Sequence, residues 1–132
     1  MTPYGLLLQQ VRDLDRYTSD EEAERVLHAV LAVLGGQLGG EERCDLAAVL
    51  PERARGVFAS QIPLPQPVAA PAFVEAVARA LNTTLTGARW DTSSVLAALA
   101  DLAGGRLTDS LLAGQPRGYA LPFGRADLTT AA

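Results

Sequence analysis

Four of the eight prolines in this 132-residue chain fall between Gln61 and Pro71, at positions 63, 65, 67 and 71. Proline has no amide hydrogen and a fixed φ, so the run holds the backbone near polyproline II and excludes both a helix interior and a central strand. Ile62, Leu64 and Val68 interleave the prolines, and apolar side chains at that spacing suit a semi-rigid connector that packs, not a free linker. The chain must therefore fold as something before residue 61 and something after residue 71.

Both flanks have helical composition. The chain holds 23 Ala and 21 Leu, while aromatic residues are 5%, a balance that favours helix over sheet. Before the connector, Pro3 opens a helix carrying Leu7, Val11 and Leu14 as far as Tyr17. Ser19 with Glu22 then forms a capping box for a second helix through Ala23, Leu27, Val30, Leu31, Leu34 and Leu38. The pairs Gly35-Gly36 and Gly39-Gly40 read as its C-cap. A short third helix runs from about Glu41 to Leu50, and Pro51 opens a fourth from Glu52 to about Phe58. Beyond the connector, Ala72 to Leu81 is a fifth helix and Asn82 to Gly87 a loop. Asp91 or Thr92 caps a sixth helix that ends at Gly104-Gly105, and Thr108 to Ala113 is a seventh.

The flanks repeat one another. Leu31-Ala32-Val33-Leu34 before a glycine pair matches Leu99-Ala100-Asp101-Leu102, Leu50-Pro51 matches Gln115-Pro116, and Leu7 with Val11 matches Phe73 with Val77. Two helical halves that cannot each bury their own apolar face must pack on one another. The expected fold is therefore all-α: a compact bundle of six to seven helices forming a single domain over residues 1–115. Its halves span about residues 4–60 and 72–115, joined by the connector at 61–71, and a Pro/Gly-containing segment follows at 116–132. At this length roughly 70% of the unfolded chain's surface can be buried, so no staples are needed.

Several stretches together have a familiar pattern: Ala23 through Leu31, Asp45-Leu46-Ala47-Ala48-Val49-Leu50-Pro51, Arg55 with Val57-Phe58, and Phe73 through Val77. Over about residues 4–112 the chain resembles the bacterial domain of unknown function 2267. In that pattern each half is an Ala/Val-rich helix, then a leucine-proline pair leading a short helix with an arginine and an aromatic residue. The resemblance implies an all-helical fold in two similar halves and carries no catalytic, cofactor or metal residue across. After Leu112 the chain departs from it, with Gln115-Pro116-Arg117-Gly118-Tyr119 standing where a leucine-proline pair and helix are expected.

Composition limits the partners. Asp and Glu number 15 against 11 Arg and no Lys, a net charge of −4. That sign opposes phosphate neutralisation and attraction to anionic lipid, so neither nucleic acid nor membrane is expected. No run of 18 apolar residues lacks a charge, and the N-terminal apolar run stops at Gln9-Gln10 without a basic start. Cys44 is the sole cysteine, which fits a reducing cytoplasm and leaves no intrachain disulfide. The all-Arg usage accords with a bacterial source.

No reactive set emerges, which points away from an enzyme. His28, the sole histidine, sits one residue off the apolar stripe, with Glu24 one turn before it and no nucleophile placed against it. Cys44 reads as a buried or half-buried small residue. Asp13, Asp15, Ser19, Glu21 and Glu24 fall at calcium-loop spacing, but Tyr17 and Thr18 occupy the fifth and sixth positions, and the sixth needs glycine; helix capping accounts for the same acids. Arg43, Arg53 and Arg55 alternate with Glu41, Glu42 and Glu52 and read as a mixed, ion-paired face. No cofactor is implied.

Interaction is the remaining reading. Trp90 precedes the expected sixth cap, where it serves as a hydrophobic staple or as a partner anchor. The segment from Pro116 onward spaces Tyr119, Leu121, Phe123 and Leu128 among prolines and glycines; it either folds back on the second half or docks on a partner as an extended peptide. The expected function is a non-enzymatic helical module binding another protein through Tyr119, Leu121, Phe123, Leu128 and Trp90. The alternative is a small-molecule-binding or catalytic protein with a pocket between the halves lined by Phe58, Phe73 and Trp90. Small side chains at Ala97, Ala98 and Ala100 would also let a second copy approach closely as a homodimer.

Overall fold

The computed structural model describes residues 2–15, 17–116, 118 and 119. They form seven helices and no strand: α1 (Pro3–Asp15), α2 (Asp20–Gln37), α3 (Gly40–Val49), α4 (Glu52–Ala59), α5 (Ala70–Leu81), α6 (Leu85–Ala103) and α7 (Gly105–Ala113). The architecture is the expected all-α bundle in two similar halves.

Helix starts follow the capping chemistry. Ser19 Oγ accepts from the Glu22 amide, while the Glu22 carboxylate reaches back to the Thr18 amide and hydroxyl, which satisfies two donor groups at the mouth of α2. Helix α6 starts seven residues earlier than Thr92, because Thr84 is its cap and accepts from the Gly87 amide. Asn82 closes α5 in the left-handed conformation, so the loop between α5 and α6 is only three residues, 82–84. Asp91 lies inside α6 and accepts a 2.5 Å hydrogen bond from the Tyr17 hydroxyl.

Gly35 and Gly36 are not a cap; both lie inside α2. A Cβ at Gly35 would collide with the Phe58 carbonyl and stand 2.8 Å from Gln61 Cβ. The glycine lets the end of α4 close onto α2.

The packing is reciprocal. Helix α1 packs on α2 and α6, α5 packs on α6 and α2, the central pair α2 and α6 touch each other, and α3 meets α7. Counted from the two caps, Ser19 pairs with Thr84, Ala23 with Ala88, Val30 with Val95, Leu31 with Leu96 and Leu34 with Leu99; the four apolar pairs are buried in both helices. The repeat thus runs three residues out of step with the match of Leu31 to Leu99. Helix α4 has no helical counterpart among the described residues; it covers α2 with Ala54 and Phe58, both fully buried. One continuous core joins Phe58 of the first half to Phe73 of the second.

The connector is fastened to this core. Leu64 donates its amide to the Gly36 carbonyl at 2.7 Å. The Gln37 amide group takes Val68 on both sides, donating to its carbonyl at 2.8 Å and accepting from its amide at 3.0 Å.

Candidate functional site

A groove of about 410 Å³ opens between α5 and α6. Helix α5 supplies Ala70 and Val74, α6 supplies Leu85, Arg89 and Ser93 one turn apart, and Gly118 closes one end. The floor is apolar, and Glu75 and Arg89 bring opposite charges to it. Leu85 is 53% exposed, and Trp90, the residue after Arg89, is 64% exposed. With the helix starting at Leu85, Trp90 sits on its second turn and points outward, so the staple reading is corrected: it lies past the cap, not before it.

The structure separates the residues expected to meet a partner. Tyr119 is 3% exposed; its ring meets Phe73 edge-on at 5.8 Å, and its hydroxyl donates to the Val68 carbonyl at 2.6 Å. Burial pushes its phenol well above the ordinary tyrosine value. It is a core residue, and the packed unit includes it. Leu121, Phe123 and Leu128 lie outside the described residues. The aromatic pocket of the alternative reading does not assemble, since Phe58 and Phe73 are buried in packed core and Trp90 faces away from it. Ala98 is fully buried, so it offers no close approach to a second copy.

The counterpart of the groove in the first half, between α1 and α2, holds a polar cluster. His28 Nε2 and the Tyr4 hydroxyl are 2.8 Å apart. Arg53, reaching across from α4, lies 5.3 Å over the Tyr4 ring and bonds the Glu24 carboxylate at 2.8 Å. Burial, with the Glu24 charge and its hydrogen bond, raises Tyr4 to about 12 against the opposing pull of Arg53. Burial also lowers His28 below its ordinary value, with Glu24 opposing and Arg53 adding to the effect. The imidazole is thus bonded to a phenol and held neutral, with no serine or cysteine at its nitrogen. Among the described residues no three His, Cys, Asp or Glu side chains converge to hold a metal ion. Of the calcium-spaced acids, Asp13 is bonded to Gln9. The neighbouring Asp20 pairs with Arg12.

Two polar residues, Gln37, which no sequence motif marks, and Arg43, expected in an ion-paired face, hold the fold together. Gln37, 6% exposed, gathers the Val68 backbone, the Gln115 side-chain oxygen at 2.6 Å and the Tyr119 hydroxyl at 3.0 Å. The Arg43 guanidinium donates to the carbonyls of Gly35, Leu38, Phe58, Ala59 and Gln61 and stacks 5.0 Å from the Phe58 ring. Arg55 similarly donates to the Ala47 and Leu50 carbonyls at the end of α3. The expected ion-paired arginine face is therefore corrected: of those three, Arg53 has an ion pair, whereas Arg43 and Arg55 satisfy helix-end carbonyls. Cys44, expected buried or half-buried, is exposed, because α3 turns its apolar side inward through Leu46.

The family described as "Uncharacterized conserved protein (DUF2267)" matches residues 4–121. The chain belongs to that family. The DUF2267 match covers all seven helices except Pro3, the first residue of α1, and extends beyond buried Tyr119. Among curated proteins, no sequence matches. No helix of the described residues is long and apolar enough to cross a membrane.

Proposed function

We propose that this member of the DUF2267 family is a non-enzymatic helical interaction module, an adaptor or accessory protein that binds another protein through the surface of α6 around Trp90. The observation that carries the reading is the exposure of Trp90 on a rigid helix beside an apolar groove. A large aromatic side chain left in water on a fixed scaffold costs little ordering entropy on binding and is the residue type most enriched at interface hot spots. The shifted titratable groups, Tyr4, His28 and Tyr119, support the reading in another way, since each is engaged within the fold. The same reading places the protein in a bacterial cytoplasm, where the exposed thiol of Cys44 stays reduced.

Wild-type protein and Trp90→Ala, both tagged, are used as baits in lysate, with unfolding curves recorded for each. The expected result is a protein retained by wild type and reduced at least tenfold with the variant, at unchanged unfolding midpoint. Equal retention by both baits moves the interface away from Trp90; a wild-type bait that retains nothing removes the reading altogether.

A further inference from the structure

We propose that the seam between α1 and α6 seats an amphipathic helix of the partner protein, one whose apolar stripe is flanked by basic residues. The inference rests on the reading of Trp90 given above and names the chemistry that meets it. It starts from Leu14. Helical spacing puts Leu14 in one stripe with Leu7 and Val11, yet those two are buried and Leu14 is 50% exposed. Leu6, Gln10 and Leu14 lie four residues apart and share one side of α1. The Gln10 amide group donates to the Asp101 carboxylate at 2.8 Å, which turns that side toward α6.

Helix α6 carries the matching stripe. Trp90, Ala97 and Asp101 are spaced by seven and four residues and so lie on a single face. Because Asp101 meets α1, Trp90 and Ala97 lean toward α1 as well. Gln10 bonds Asp101 and Tyr17 bonds Asp91, so the two helices run antiparallel, side by side. Leu14 therefore stands near the level of Ala97, with Trp90 at one end of the seam and Leu6, 59% exposed, at the other. From Trp90 to Asp101 the stripe covers about 16 Å, or three helical turns. Ala97 projects only a methyl group between Leu14 and Trp90, which lets a helix come close there and present anchors at i, i+4 and i+7.

Charge selects the occupant. Helices α1 and α6 carry one arginine each, and neither faces the seam: Arg12 pairs with Asp20 of α2, and Arg89 lines the groove on the α5 side. The acids remain, Asp101 on the seam and Asp13, three residues beyond Gln10, at its rim. Both are bonded only to neutral glutamine amides among the described residues, so their charge is not neutralised. A second copy would set the same acids against these, in a chain of net charge −4, whereas lysine or arginine beside an apolar stripe complements them. The groove between α5 and α6 makes no such choice, since Glu75 and Arg89 bring both signs to it.

The test reads Trp90, the one tryptophan of the chain, in the full-length protein. The probes are two synthetic amphipathic helices of about 18 residues, each with a leucine stripe, one flanked by lysines and the other by glutamates. The lysine peptide is expected to shift Trp90 emission to the blue and to bind roughly tenfold or more tightly than the glutamate peptide, a gap that narrows in high salt. Leu14→Ser, at a position open to solvent, should keep the unfolding midpoint and weaken the lysine peptide roughly tenfold. Equal binding of the two peptides, no binding of either, or wild-type affinity in Leu14→Ser overturns the proposal. A loss with Leu85→Ser that Leu14→Ser does not share also overturns it and puts the helix in the groove against α5. Emission of the protein alone decides the other occupants: a blue maximum that reddens on dilution means a second copy on the seam, and one that ignores dilution means the chain's own residues, and either result overturns the proposal. If a lysate protein captured through Trp90 is held equally by Leu14→Ser, the proposed function stands and this inference alone falls.

Discussion

Arg43 shows how one side chain can organise several chain ends. Its two terminal guanidinium nitrogens bond five carbonyls from the end of α2, the end of α4 and the start of the connector, most of them groups that a helix end leaves unsatisfied. Lysine offers a point charge and cannot fork across them. Arg43→Lys should therefore lose about 2 kcal/mol and Arg43→Ala about 3 kcal/mol of unfolding free energy in urea. Arg53→Ala, which removes an exposed ion pair, should cost no more than about 1 kcal/mol. Equal losses for the Arg43 and Arg53 variants would refute the distinction. His28 is the second case at this scale. Its value in the folded state lies below the ordinary 6.5, so the fold favours the neutral ring. The stability this contributes is complete above pH 6.5 and is lost as pH falls through the lowered value. Because the chain has one histidine, an NMR titration of its ring reads this directly. The midpoint should fall below 6.5, move up in Arg53→Ala and move further down in Glu24→Gln. A wild-type midpoint at or above 6.5 would refute it.

At the scale of the element, what was legible in the sequence was whatever local chemistry decides. The Ser19 capping box and the Pro51 start are written in adjacent residues, and both helices begin where those residues place them. The start of α6 was not legible, because Asn82 through Gly87 has the composition of a loop and Thr84 caps a first turn containing Thr86 and Gly87, poor helix formers. Packing of the buried Ala88, Thr92 and Val95 below overrides that local weakness. Gly35 and Gly36 misled in the opposite sense: the pair looks like a stop, but its role is the approach of the Phe58 carbonyl, a contact between distant residues. Gln37, which no motif marks, and the true role of Arg43, expected in an ion-paired face, rest on the same kind of contact, with carbonyl partners that only the fold brings together. Thr84→Ala tests the cap. Its loss should cost about 1 kcal/mol in urea unfolding, with a corresponding loss of amide protection at Gly87, the group that the threonine accepts from. If Thr84→Ala is neutral and Thr92→Ala removes protection at the helix start instead, α6 begins where its sequence first suggested.

For the whole molecule, the internal repeat predicted two halves but not how they share a core. Each outer helix packs across to the opposite central one, α1 on α6 and α5 on α2. Splitting the chain at the connector would strip Leu7, Val11, Leu27 and Leu31, now buried, of part of their cover, and would break the bonds that tie Gln37 to Gln115 and Tyr119. A half of this size left with an exposed apolar face has too little core to offset its chain entropy. The full chain should therefore unfold in one transition, with far-UV circular dichroism and Trp90 fluorescence coincident. A fragment of residues 1–69 alone should keep partial helicity, bind a hydrophobic dye and show no sigmoidal melt. Adding the fragment of residues 70–132 in equimolar amount should restore the cooperative transition, because the missing cover is then supplied across the cut. A sharp melt of residues 1–69 by themselves would show instead that the first half, with α4 closed over α2, is a folding unit of its own, and that the reciprocal packing adds stability without being required for the fold.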